Sequence, residues 1–388
     1  MLNMDSKFHH SDLYLPNPSF DSPLTDIIID LDYLRKQQLV GSTPSHTFFQ
    51  LKDIFHMLES IGSARIEGNH TTIAEFIETK IANDKEEGLA DPVKEILNME
   101  KAMDFLEKHI LSHSLNRAFI SELHKMVVKD LKREGDATPG EYRVKNVKIS
   151  GSSHVPPDFT KAEDYMNELF AFINREDPPK YDLLKTAIAH HRFAWIHPFG
   201  NGNGRTVRLL TYAMLVKQGF NVEKGRIINP TAIFCSDRSR YYSMLSKADT
   251  GQNEGVFEWC EYVLSGLRAE IQKVDLLTKY DFLKEKILLP TITAAYQNKL
   301  ISDLDEKILK LAVEKESIVA GDLTEMVGNK LPQEISRIIR RMREQKLLMP
   351  IKTGARRYTI RFSNSFLMRG VIQMLDKNGF LPIKEESS

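Results

Sequence analysis

Residues 197–208 read HPFGNGNGRTVR, and this stretch constrains the fold more than any other. Three glycines in five positions (Gly200, Gly202 and Gly204) forbid a regular helix there, because glycine has the most backbone freedom to lose. Apolar residues nevertheless recur at helical spacing over 182–195 and 205–217. Two helices are therefore predicted to meet at a glycine-rich joint. The same period dominates elsewhere. Ile54, Met57, Leu58 and Ile61 mark a helix over 51–66 that stops at Glu67-Gly68-Asn69, and Thr72 with Glu75 forms a capping box for the next one. Helices are also predicted over 92–110, 116–132 and 237–247, and a long one through Phe257, Cys260, Leu264, Leu267, Ile271 and Val274. One region, 141–151, alternates like a strand pair and is expected to form a short hairpin ended by Pro156-Pro157.

At 388 residues the chain is too long for one ordinary core, so two or three domains are expected. Hydrophobic residues at 41% and charged residues at 27% describe a soluble globular protein. Lys+Arg and Asp+Glu both total 53, so net charge points to no partner. The two cysteines, Cys235 and Cys260, have no CxxC spacing and read as core thiols rather than a disulfide or a zinc site. No run approaches the ~20 apolar residues of a membrane span. Residues 1–24 look like an extended arm without the order of a signal peptide, so a cytoplasmic protein with no membrane partner is expected.

The glycine-rich turn lacks the Lys-Ser/Thr of a P-loop and the spacing of GxGxxG, and it follows a helix instead of a strand. It still makes an anion site. Gly202, Asn203 and Gly204 let successive N–H groups point inward, and a helix starting near Arg205 adds its positive end. Arg205 and Arg208 are three apart and are predicted to share a helix face. Two planar guanidinium forks, a backbone nest and a helix terminus suit a di- or triphosphate. His197 stands five residues before the nest, where a general base next to bound phosphate is worth ~10²–10⁴ in rate.

These residues resemble a known signature. HPF, one variable residue, one acidic residue, GNGR and a second arginine three later define the Fic family. His197, Pro198, Phe199, Gly202, Asn203, Gly204, Arg205 and Arg208 match it at unbroken spacing. The resemblance implies transfer of AMP from ATP to a Ser, Thr or Tyr hydroxyl of a target protein. His197 would act as base, the nest around Asn203 would hold the charged oxygens, Arg205 the inner phosphates and Arg208 the γ-phosphate. Asn201 departs from the pattern: it stands where the family has the Asp or Glu that binds Mg²⁺. Its neutral carbonyl oxygen is the candidate contact, although magnesium prefers anionic oxygen.

Three further features are implied by the same resemblance. Ser63, Glu67 and Gly68 resemble the family's inhibitory motif, so Glu67 is expected to pair with Arg208 and keep ATP out of its productive pose. Val147, Lys148, Ile149, Ser150 and Gly151 resemble the flap that clamps a target segment by strand addition. Tyr241 and Tyr242 stand where aromatics flank the nucleotide base.

After an expected linker at 286–302 the composition changes. Three short helical stretches, at 308–312, 320–327 and 332–345, precede a strand-turn-strand, the order of a winged helix-turn-helix. Ten Lys/Arg against two acidic residues fall within 329–361. Arg337, Arg340, Arg341 and Arg343 on the third helix, with Lys352, Arg356 and Arg357 at the wing, form a footprint for a DNA backbone. Gln333 and Ser336 are candidates for base contacts.

The expectation is a mainly α protein with a Fic-type core, a β-hairpin flap and a C-terminal winged helix. Its expected parts are 1–110 with the inhibitory motif, 111–285 as the core, 286–302, 303–370 as the winged helix, and 371–388 as a tail. Self-association is a further expected partner mode. The alternatives are a DNA-binding regulator whose Fic-like domain senses nucleotide, a Fic enzyme with another donor, or one that removes AMP with Glu67 positioning water.

Overall fold

The computed structural model of the chain describes residues 8–36, 41–82, 88–149, 152–220, 227–328, 331–363 and 365–381. Helices dominate. In chain order they are α1 (Pro23–Lys36), α2 (Ser45–Ile66), α3 (Ile73–Ala82), α4 (Asp91–His109), α5 (Arg117–Val127), α6 (Ala162–Asn174), α7 (Asp182–Ile196) and α8 (Asn203–Lys217). There follow α9 (Thr231–Ser236), α10 (Arg238–Ala248), α11 (Asn253–Asp275), α12 (Tyr280–Leu283), α13 (Leu289–Gln297), α14 (Asp303–Glu314), α15 (Pro332–Glu344) and α16 (Leu367–Lys377). Two three-residue strands, β1 (Leu348–Pro350) and β2 (Tyr358–Ile360), pair antiparallel with Leu348 opposite Ile360. Among the described residues, no helix is long and apolar enough to cross a membrane.

The chain divides into two compact units. One comprises 1–38, 59–71 and 87–272; the other comprises 39–58, 72–86 and 273–388. In the first, α7 and α8 are buried along nearly their whole length, polar residues such as His190, Arg205 and Arg208 included, as central helices of a bundle are. Trp195, Phe193, Phe199 and Tyr212 are fully covered there, and each aromatic of this kind stabilises by roughly 1.5–3 kcal/mol relative to exposure. The joint between α7 and α8 is set by two left-handed residues, His197 at φ 52° and Gly202 at φ 73°. Glycine adopts that region freely; histidine does not, so its conformation is imposed by the surroundings.

In the second unit the predicted capping box of α3 forms: Thr72 Oγ1 accepts from the Glu75 N–H at 3.1 Å, and Glu75 accepts from the Thr72 N–H at 2.8 Å. Gln50 takes the Phe362 N–H at 2.9 Å and donates to the Ile360 carbonyl at 3.0 Å, tying α2 to the end of β2. Ile318 bridges to Tyr358 and adds a one-residue third strand between α14 and a 3₁₀ turn at Ala320–Leu323.

Three expectations need correction. The stretch expected as a linker carries α13, because the backbone stays helical from α12 through a π-turn at Lys284–Leu288 into Pro290, and Ile292 and Ala295 are buried. The expected C-terminal tail begins inside α16, whose Val371, Ile372 and Leu375 are core residues. The expected hairpin is absent over the described part of 141–151. The Arg143 N–H goes to the Pro198 carbonyl at 2.8 Å, so this backbone is satisfied by the α7–α8 turn instead of by a neighbouring strand.

Candidate active site

The α7–α8 turn is held from several sides. Asn203 clasps it, accepting from the Phe199 N–H and donating to the Phe199 carbonyl, both at 2.9 Å. With Gly202 as N-cap, α8 starts at Asn203, two residues earlier than its apolar pattern suggested. Around this helix terminus lies a cavity of about 480 Å³ whose walls include Glu67, His197, Gly202, Asn203, Gly204 and Arg208. A cavity of this size fits a nucleotide-sized ligand.

His197 faces the cavity with its Nδ1 3.4 Å from the Ala194 carbonyl. That contact favours the Nδ1–H tautomer and leaves Nε2 with its lone pair free. Burial is the main cause that lowers its pKa, to about 4, partly opposed by the Ala194 carbonyl and the Glu67 charge. The imidazole is therefore neutral, and able to accept a proton, throughout the physiological range.

Glu67 meets Arg208 as the resemblance implied. Its Oε1 accepts from Arg208 Nη2 at 2.7 Å, while Arg208 Nε donates to Ser63 Oγ at 2.7 Å and the same Nη2 also donates to the Ser63 carbonyl at 2.9 Å. Burial raises the Glu67 pKa, but the Arg208 charge and hydrogen bond outweigh it, and the carboxyl is held below its usual range. A Cβ at Gly204 would lie 2.1 Å from that same Oε1. The carboxylate thus rests against the first turn of α8, in the seat that an anion would take.

Arg205 behaves differently from Arg208. It is fully buried and is not among the residues lining the cavity. Its terminal nitrogens face Glu95 at 3.0 Å, off the hydrogen-bond line, and the Glu134 carbonyl at 2.7 Å. The expected role on inner phosphates thus requires Arg205 to leave these partners. Asn201 lines the cavity, but its Oδ1 already accepts from the Gly202 N–H at 2.7 Å. The Asp136 carboxylate beside it takes the backbone N–H groups of Asn201 and Thr138, each at 2.9 Å. One neutral, engaged oxygen does not make a protein-held magnesium site, and among the described residues no cluster of His, Cys, Asp and Glu gathers to bind a metal.

Tyr241 and Tyr242 both line the cavity. Tyr241 is fixed by its hydroxyl on His190 at 2.9 Å, while Tyr242 is exposed. Lys148 and Ile149 of the expected flap line the cavity too, whereas Val147 is not among the lining residues. Ser150 and Gly151 fall outside the described residues. Cys235 and Cys260 are free thiols, and burial pushes both up, Cys260 to about 12.

Sequence reasoning missed several residues that shape the site. Arg143 donates to the His197 carbonyl at 2.9 Å and to the Pro157 carbonyl, so it locks the left-handed turn. His124 accepts from the Gly140 N–H at 2.9 Å, donates to the Asn201 carbonyl at 3.0 Å and stacks on Phe199 with centroids 3.8 Å apart. The bonds from Arg143 to His197 and from His124 to Asn201 join segments more than fifty residues apart, which no local pattern announces. A buried polar residue on an amphipathic helix, as His124 is on α5, was the available signal.

The C-terminal basic cluster is narrower than its sequence. Arg341 pairs with Asp305, Arg340 with Glu344 at 2.9 Å, Arg357 with Ser317 at 3.4 Å, and Arg343 lies over the Tyr358 ring at 5.7 Å. Arg337, Lys352 and Arg356 are exposed, as are Gln333 and Ser336.

Residues 114–215 match the Fic/DOC family. The chain is 32% identical over 196 residues to the protein adenylyltransferase Fic of Nematostella vectensis, covering 49% of this chain and 42% of that protein. It is 31% identical over 207 residues to the protein of the same name from Aedes aegypti, covering 51% and 37%. The chain thus spans less than half the length of these curated relatives. A crystal structure of a Fic family protein from Desulfovibrio desulfuricans superposes with a TM-score of 0.54 at 17% identity, over 89% of this chain and 98% of that one, which establishes the shared fold.

Proposed function

We propose that this chain, which carries a Fic/DOC family domain at residues 114–215, is a protein adenylyltransferase restrained by Glu67. The observation that carries the reading is one cavity holding a neutral His197, an anion-binding helix terminus and Arg208. ATP would lie with its phosphates against Gly202, Asn203 and Gly204. His197 Nε2 would take the proton of a target Ser, Thr or Tyr hydroxyl as that oxygen bonds to the α-phosphorus. The bond from the α-phosphorus to the bridging oxygen breaks, and pyrophosphate leaves. Most of the acceleration comes from positioning and fixed charge. Tyr241 and Tyr242 would flank the base, and Lys148 and Ile149 would face the target segment. Glu67 restrains the reaction because its carboxylate occupies the anion seat and the Arg208 fork at once.

ATP labelled at the α-phosphate, incubated with cell extract and purified protein, tests this reading. Label should rise about 10- to 100-fold in Glu67→Gly, the worth of one charge-assisted contact, and vanish in Glu67→Gly/His197→Ala. No label in any variant overturns the adenylyltransferase. Equal labelling by wild type and Glu67→Gly overturns the brake.

A second activity, contact with a DNA backbone, is supported by the exposed Arg337, Lys352 and Arg356. The α14, 3₁₀, α15, β1, β2 order with its extra bridge at Ile318 fits a winged helix.

A further inference from the structure

The turn that ends α2 presents Glu67 on a backbone with little packing to hold it. Gly68 has φ 94°, and a side chain there would meet no atom within 4 Å. The N–H groups of Glu67 and Gly68 donate to the Ala64 and Arg65 carbonyls at 3.0 Å, and the next residue ties this turn to the neighbouring helix. The Asn69 N–H donates to the Ala64 carbonyl at 3.1 Å, closing α2, and Asn69 Oδ1 accepts from the Thr71 N–H at 3.0 Å. Its amide nitrogen reaches across to α4, donating to the Pro92 carbonyl at 2.8 Å and to Glu95 Oε2 at 2.7 Å. Glu95 is itself buried and anchored, because its other oxygen faces Arg205 at 3.0 Å. One short segment therefore touches both arginines, Arg208 directly through Glu67 and Arg205 through Asn69 and Glu95.

We propose that Asn69 is the positioning residue of the brake: by pinning the Glu67-Gly68 turn to Glu95 on α4, it holds the Glu67 carboxylate over Gly204 and Arg208. The inference rests on Glu67 acting as a brake. An open glycine hinge adjacent to a fully hydrogen-bonded, buried amide is the arrangement that directs a carboxylate without packing around it.

The test compares transfer from α-labelled ATP by the full chain as wild type, Glu67→Gly, Asn69→Asp and the double variant. Asn69→Asp turns a carboxylate toward Glu95 and the Pro92 carbonyl and releases the pin. The expected result is transfer about 3- to 10-fold above wild type, the scale of one or two lost hydrogen bonds, appearing chiefly as a lower KM for ATP because Glu67 competes with nucleotide. The double variant should match Glu67→Gly within about twofold, since no carboxylate remains to be positioned. A wild-type rate in Asn69→Asp beside a raised rate in Glu67→Gly overturns the inference alone. So does a double variant that departs strongly from Glu67→Gly, which would assign Asn69 to folding or to an independent step. A Glu67→Gly rate no higher than wild type overturns the brake itself, and this inference with it.

Discussion

Arg208 in the cavity and Arg337 on α15 carry the same guanidinium and meet opposite surroundings. Arg208 is only 2% exposed, with its Nε and Nη2 bonded to Ser63 and Glu67, while Arg337 stands exposed to solvent. A buried cation cannot be left unpaired, so the chain supplies its own anion, and any ligand has to displace it. An exposed cation is hydrated and screened, and a polyanion gains it by releasing counterions. The first arrangement is suited to regulation by an internal competitor. The second is suited to a partner whose grip depends on salt.

The comparison breaks most sharply at His197. In a Glu67→Gly background, His197→Ala should lower kcat by about 10²–10⁴ with little change in ATP binding; a rate within a few-fold of the parent would remove the base from the mechanism. The exposed side is tested by titrating duplex DNA against salt. With about four phosphate contacts, affinity should fall roughly a hundredfold between about 50 and 200 mM salt, and Arg337→Ala should flatten the log–log slope by about 0.9. A slope unchanged in Arg337→Ala would mean that α15 does not face the phosphates.

The pH profile sharpens the buried side. His197 loses its free lone pair when it takes a proton, so the acid limb of kcat/KM should fall near pH 4, where burial has moved its pKa, and not near 6.5. The Glu67 charge raises that pKa, so Glu67→Gly should move the limb lower still. The smallest effect concerns Glu59, which is buried against the Thr231 N–H at 3.0 Å and pushed up to about 8, mainly by burial. The folded state keeps a proton that the unfolded chain releases above the ordinary glutamate value of 4.5. Stability should therefore fall as pH rises from about 4.5 to 8. Glu59→Gln should raise Tm by a few degrees at about pH 8.5 and by less at about pH 5.5.

Much of this was legible in the chain. Helix positions followed from apolar spacing because one buried stripe per helix leaves a 3.6-residue imprint. The nest and His197 were legible because their spacing is short and their residue types are demanding, whereas the pairing of Glu67 with Arg208, 141 residues apart, was expected only from the resemblance of Ser63, Glu67 and Gly68 to an inhibitory motif. The expected hairpin misled because alternating residues satisfy a strand pattern even when their N–H groups find other partners, as Arg143 does at Pro198. Pro290 misled for a related reason: proline is disfavoured in a regular helix interior, but here it follows a π-turn within a continuous helical run.

What the sequence determined by itself is local: where helices run, where the joint between α7 and α8 must bend, and which residue types carry the chemistry. What only the tertiary structure decided is which charges meet. Arg205 and Arg208 sit three residues apart on one helix, yet one faces Glu95 and the other Glu67. That division depends on carboxylates more than a hundred residues earlier, delivered by α4 and by the turn after α2. Spacing along a helix fixes the direction of a side chain, but its partner is set by packing, and packing is not written in any single segment.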